Sequence, residues 1–187
     1  MRDQIVAAAM EAIKEFGMKF TMSDLVKRLS ISKSTLYSHF KSKEELVAAI
    51  VDLSLASVRQ KEQSILDDDK LNVAEKLRAL TMTYPPITID IRAMLDLKRY
   101  FPKEWEKTEQ YRIEKWQTME LLLNQGIKDG YFRPIDLTIL SIIINGTMKE
   151  LMDDQSFFIH QSLSFNDAVN RVVDIILWGI MNSNGSE

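Results

Sequence analysis

The chain has 187 residues, 45% of them apolar, and 24 basic against 27 acidic side chains, for a net charge of −3. That composition supplies a sizeable core for one or two small domains, and it excludes both default disorder and a uniformly basic coat for nucleic acid. Zero cysteines exclude a disulfide framework, thiolate metal sites and a cysteine nucleophile.

Six glycines and four prolines punctuate the chain, and no run alternates apolar with polar residues as a half-buried strand requires, so the expected class is all-α. Ile5, Ala8, Ala9, Ala12, Ile13 and Phe16 make one face of a first helix that Gly17 is placed to end. Its opening, MRDQIVAAAMEAIKEF, carries acids inside the apolar stretch, unlike a secretory signal. No apolar run reaches the roughly 18 residues of a membrane span, so a cytoplasmic protein with no membrane role is expected.

Thr21 and Asp24 have the spacing of a capping box and open a short helix over about Met22 to Leu29. Ser30 and Ile31 form a tight connection, and Ser32 caps a second short helix running to about Phe40. Ser42 and Glu45 repeat the capping spacing and begin a helix through Leu46, Val47, Ile50 and Leu53 to roughly Leu66, about 37 Å long. Further helices are expected near Val73 to Tyr84, stopped by Pro85 and Pro86, from Thr88 to Phe101, stopped by Pro102, and from Lys103 to about Lys128. Gly126 and Gly130 read as caps at the end of the last of these. The final two, Asp136 to Asp153 and Asn166 to Met181, are the most apolar, and each carries two apolar faces, which calls for two packing partners.

The charge is unevenly spread. Between Met18 and Lys43 six basic residues face Asp24 alone, whereas residues 52–187 are acidic. Within that basic segment the second short helix is rich in hydroxyls, and Lys33, Ser34, Thr35, Tyr37, Ser38 and His39 are the side-chain types that reach base edges and phosphates when a helix enters the major groove by its N-terminal end. Leu25, Val26, Leu29, Ile31, Leu36 and Phe40 fit the complementary task of clamping the two short helices against the first.

At Phe20-Thr21, at Ile31-Ser32-Lys33-Ser34-Thr35-Leu36-Tyr37 and at Phe40-Lys41-Ser42-Lys43-Glu44-Glu45-Leu46 the sequence resembles the TetR family of bacterial transcriptional regulators. The resemblance is close over about the first 50 residues. It implies about nine helices, divided into a DNA-binding helix-turn-helix domain over residues 1–48 and a helical effector-binding and dimerisation domain over residues 49–187. It also implies a homodimer on palindromic double-stranded DNA, repressing until a small molecule fills its pocket. By position, Thr21 and Lys43 resemble the family's phosphate-contacting threonine and lysine, Tyr37 and His39 its phosphate-contacting aromatic pair, and Lys33, Ser34 and Thr35 the stretch that approaches bases. The sequence departs from the pattern in two places: Ser30 stands where many members carry glycine, and Arg2 stands in for a longer basic arm.

Polar residues embedded among apolar ones are the pointers to an effector site, because a buried polar group needs a partner and a ligand can supply it. Arg92, Asn145 and Thr147 are such residues, with Tyr84, Tyr111, Trp116 and Met119 as candidate walls. A dimer interface is expected at Ile139, Ile143, Val169, Val173 and Ile176, in a four-helix arrangement from two chains. No cofactor or metal is implied: His39 has no His or Cys partner at ligand spacing, and His160 is about 120 residues away in a loop. Gly-rich phosphate cradles and nucleophile elbows are absent, so an enzyme is disfavoured. The alternative from another class is a helical protein-interaction adaptor that keeps the fold and reads no DNA.

Overall fold

The structure, a computed structural model, describes residues 1–85, 91–153 and 165–181, with the side chains of residues 91, 92, 152, 153, 165 and 166 outside the description. The described residues form nine α-helices: α1 (Arg2–Phe16), α2 (Met22–Leu29), α3 (Lys33–His39), α4 (Lys43–Leu66), α5 (Val73–Thr81), α6 (Ile91–Tyr100), α7 (Pro102–Lys128), α8 (Leu137–Asp153) and α9 (Phe165–Ile180), with a 3₁₀ turn at Gly17–Lys19. Extended pairing among them is limited to one bridge, Phe132 with Met181. His160 lies outside the described residues.

They fall into two compact units, residues 1–60 with 84–112, and residues 61–83 with 113–187. This partition by packing is a different cut from the functional division at residue 48, through which α4 passes unbroken.

In the first unit α1 buries Ile5, Val6, Ala8, Ala9, Ala12 and Ile13 and ends at Gly17, whose φ of 61° suits a residue without Cβ. Thr21 and Asp24 form the expected capping box of α2. Ser32 caps α3 through its hydroxyl, which accepts the Thr35 N–H at 3.0 Å. The Ser42 hydroxyl likewise accepts the Glu45 N–H at 3.2 Å, but the Glu45 carboxylate reaches back to the Lys41 N–H, one residue before the expected partner. Around Leu25, Leu36, Phe40, Leu46, Val47 and Ile50, all fully buried, the core continues to Leu97 and Phe101.

Between α2 and α3, Ser30 adopts the left-handed conformation, φ 53° and ψ 40°. That is the backbone glycine would supply, and a side chain there costs about 1–2 kcal/mol. Ser30→Gly should therefore stabilise the protein by about 0.5–1 kcal/mol after the extra freedom of glycine in the unfolded chain is offset. Thermal denaturation will show a rise of roughly 2–3 °C, and a fall would mean that the serine hydroxyl stabilises the turn.

The second unit has its own core of Leu77, Met119, Leu123, Phe132, Leu140 and Ile180. Asn72 and Glu75 make a capping box for α5, and the Lys76 ammonium donates to the Leu66 carbonyl at 2.7 Å, closing the end of α4. Gly130, φ 79°, is a true helix-end glycine. Gly126 is not a cap: it lies inside α7, where a Cβ would come within 2.3 Å of the Phe132 ring. Its role is to let that ring pack on the helix backbone, which the spacing to Gly130 alone does not reveal.

Candidate nucleic-acid interface

Recognition requires a helix whose outer face is free and whose inner face is locked. α3 meets both conditions: Leu36 and the following Phe40 are fully buried, while Lys33, Ser34, Tyr37 and Ser38 are exposed and Thr35 and His39 are half-buried. The first turn is braced by hydroxyls, with Ser32 Oγ 2.7 Å from Ser34 Oγ and 2.8 Å from Thr35 Oγ1, and the Ser38 hydroxyl donating to the Thr35 carbonyl. These bonds hold Ser34 and Thr35 in defined rotamers at the end of the helix that a major groove admits. Lys19, Lys27, Lys33 and Lys41 are exposed around it, and among the described ion pairs none of them is engaged. Lys19, Lys27 and Lys41 were not among the expected contacts. Their charge was visible in the sequence but their exposure was not.

Thr21 and Lys43 are less simply placed. The Thr21 hydroxyl donates to the Asp24 carboxylate at 2.7 Å and accepts the Asp24 N–H, so its single proton serves the capping box. The Thr21 hydroxyl and the Thr21 N–H, both donating to it, hold the Asp24 carboxyl below its ordinary range. The Lys43 ammonium turns inward, donating to the Met18 and Phe20 carbonyls at 2.5 and 2.6 Å and lying 4.5 Å over the Phe20 ring, and its burial lowers its pKa. One of its three N–H donors is left for a phosphate. The Met18 N–H in turn donates to Asp96 of α6 at 3.1 Å, so the 3₁₀ turn is held from both sides. Arg28 is drawn off to Glu15, and Arg2 lies 4.7 Å over the Phe40 ring as packing for α1.

The expected effector residues do not gather at one place. Tyr84 and Tyr111 belong to the first unit, where burial pushes the Tyr84 phenol up to about 12. The Arg92 side chain is outside the described residues. In the second unit Trp116 packs on the core, Thr147 is half-buried, and Asn145 is exposed, its amide donating to the Ser141 carbonyl one turn back. Met119 does line a cavity of about 30 Å³ there, together with Leu77, Thr81, Leu140, Ile144 and Val173. A feature that the sequence reading missed is the ion pair of Lys115 with Glu62, 3.0 Å apart with each side chain 13% exposed. The available signal was a lysine on the same helical face as Tyr111 and Met119.

The expected dimer residues divide as well. Ile139 and Ile143 are exposed, but Val169 and Val173 are buried in their own chain and Ile176 lines the cavity. The exposed apolar side of α9 is the opposite one, Ile175 and Trp178, and on α8 Ile142 joins Ile139 and Ile143. Periodicity marked both faces of α9 and could not say which turns inward.

Residues 5–50 match the sequence profile of bacterial regulatory proteins of the tetR family. Over 182 residues the chain is 29% identical to an uncharacterized HTH-type transcriptional regulator, YvaF of Bacillus subtilis, covering 96% of this chain and 95% of that one. It is 26% identical to the HTH-type transcriptional repressor KstR2 of Mycolicibacterium smegmatis, covering 100% of this chain and 93% of the relative. Among solved structures, the ketosteroid transcriptional regulator KstR2 of Mycobacterium tuberculosis superposes with a TM-score of 0.69 at 22% identity, over 97% of this chain and 95% of that one.

Proposed function

We propose that this chain, which belongs to the TetR family of bacterial DNA-binding transcriptional regulators, represses transcription as a homodimer on a palindromic operator and leaves it when a small molecule occupies its second unit. The observation that carries the DNA-reading part is the division of α3 into a locked inner face and a free polar outer one. Lys33, Ser34 and Thr35 read base edges; Tyr37, His39 and Lys43 meet phosphates, and Thr21 joins them by turning its hydroxyl proton from Asp24 to a phosphate. The paired recognition helices of a dimer sit about 34–36 Å apart to enter successive major grooves. Residues 1–48 form the reading domain and residues 49–187 the part that dimerises and takes the effector.

Dimerisation is supported by the apolar face of Ile139, Ile142 and Ile143 on α8 with Ile175 and Trp178 on α9, of which Trp178 is 79% exposed. A face so apolar on a protein that must stay dispersed calls for a partner, and a second copy offers the same face about a two-fold axis. Effector response is supported by the aliphatic cavity. At about 30 Å³ it holds little more than a water, whereas ligand sites run to about 300–1,000 Å³, so an effector must part the helices that line it. That differential fit between closed and open forms is what couples ligand to DNA. Among the described residues no helix is long and apolar enough to cross a membrane. A cytoplasmic location follows from where the operator is.

Selection of duplexes from a random pool at about 100 mM salt tests the reading. The expected result is a palindrome with half-sites one turn apart, bound with an affinity that falls steeply between about 50 and 200 mM salt. Ser34→Ala should then cost about 1–3 kcal/mol on that palindrome and little on random DNA. Equal loss on both would remove Ser34 from base reading. Failure to enrich any duplex, with affinity for a protein partner that salt hardly alters, would favour the adaptor.

A further inference from the structure

Lys115 and Glu62 form a pair that packing alone does not call for. Pairs such as Glu11–Lys14 and Asp52–Lys107 sit in solvent, whereas this one is largely buried, and burial lowers the Lys115 pKa. Desolvating two charges costs more than an exposed pair returns, so such pairs are weak devices for stability. Among the described contacts, the ammonium is held by the Glu62 carboxylate of α4 and by the main-chain carbonyl of Thr83. A backbone carbonyl cannot be exchanged without rebuilding the chain; a carboxylate can be replaced by another carboxylate.

Two of the segments that hold the pair, α7 and the end of α5, also line the aliphatic cavity. Met119, one helical turn along α7 from Lys115, lines it, and so does Thr81, two residues before Thr83. The lining itself offers no head-group partner, since it is aliphatic apart from the methionine sulfurs and Thr81, whose hydroxyl already donates to the Leu77 carbonyl. An apolar chamber with a fixed cation one helical turn from its wall suits a ligand with an apolar body and one negative charge.

We propose that the effector, in the site assigned above, is an amphipathic monocarboxylate with an aliphatic body, whose carboxylate takes the place of Glu62 on the Lys115 ammonium while its chain opens and fills the cavity. Exchange of one carboxylate for another keeps the buried charge balanced. A neutral or cationic head leaves the Lys115–Glu62 pair intact and gains nothing from it. A phosphate dianion asks for more charge and more donors than one ammonium supplies. Displacing Glu62 also frees α4 from α7 at the far end of the helix that begins beside the recognition helix, which gives the two states the different contacts that coupling needs.

The test uses the full chain and three probes of equal length, decanoate, decan-1-ol and decylammonium, below their micelle concentrations. Binding is read by calorimetry and by tryptophan fluorescence, to which Trp116, the neighbour of Lys115, contributes beside Trp105 and Trp178. Decanoate should bind at least tenfold more tightly than decan-1-ol, with decylammonium weakest. Lys115→Met should erase that preference while still binding decan-1-ol, Lys115→Arg should keep it, and Glu62→Gln should tighten decanoate several-fold by weakening its competitor. Thermal denaturation checks that each variant folds, and Lys115→Arg with Glu62→Gln carry the test if Lys115→Met does not. Equal affinity for acid and alcohol, a preference that survives in Lys115→Met, or no binding of any probe would overturn the proposal. The duplex selection is run in parallel. A protein that selects an operator yet ignores decanoate refutes the carboxylate site alone, whereas a decanoate preference lost in Lys115→Met upholds the site whatever the selection returns.

Discussion

Replacing Lys43 by methionine will destabilise the first unit by about 2–3 kcal/mol, a large effect for a residue with solvent access. The cause is the position of its ammonium on the Met18 and Phe20 carbonyls, which join the start of α4 to the turn after α1. Methionine matches the length of the stem, so the loss isolates the charge and its hydrogen bonds from packing. Hydrogen bonds from a charged donor are worth about 1.5–3 kcal/mol each, and partial hydration of the two carbonyls in the variant brings the pair down to the stated figure. Thermal or denaturant unfolding measures it. On DNA the same variant should weaken operator and random duplex alike and lower the slope of log affinity against log salt by about 0.9, the signature of one phosphate contact through the remaining N–H. Unchanged stability would remove the structural role, and an unchanged slope with lowered stability would show that Lys43 acts on DNA only by holding the domain together.

Trp178→Glu will convert the proposed homodimer to a monomer in sedimentation at micromolar concentration. Trp178 is 79% exposed within its own chain, so the substitution should alter the stability of the protomer by less than about 0.5 kcal/mol. In an interface, truncating an aromatic anchor costs about 2–4 kcal/mol, and a carboxylate in an apolar contact adds its desolvation, for a loss of at least about 30-fold in association. Ile142→Glu should act in the same way from α8, and both should reduce affinity for a palindrome far more than for a half-site. Val173→Glu supplies the contrast, because that position is 6% exposed and a charge there disrupts the fold of the second unit instead. A dimer that persists in both Trp178→Glu and Ile142→Glu would place the interface elsewhere, and a monomeric wild-type chain would remove the homodimer.

Much of the candidate interface could be read from residues close together in the chain. Thr21 with Asp24 and Ser32 with Thr35 make their bonds across three residues, so the ends of α2 and α3, and with them the frame that carries Lys33, Ser34 and Tyr37, follow from spacing. The expectation for the effector residues rests instead on buried polar groups, and burial is not visible in a sequence. Asn145 shows the consequence: it looked embedded in an apolar run, yet it is exposed, with its amide bonded one turn back along the same helix. Lys115, one residue from the expected wall at Trp116, reads as solvated in a 27-residue helix until the fold brings Glu62 to it.

Spacing and residue type along the chain suffice for the helical class, the helix starts and stops through the first four helices, the basic character of the segment around α3 and the division of that helix into apolar and polar residues. All of these depend on interactions within one turn, or on the type of a single side chain. Tertiary packing selects the inward turn of Lys43, the burial of Val169 and Val173 in place of Ile175 and Trp178, and the meeting of Glu62 with Lys115. Each of these depends on a distant element that selects one of several conformations or faces, which the local sequence leaves nearly equal in free energy.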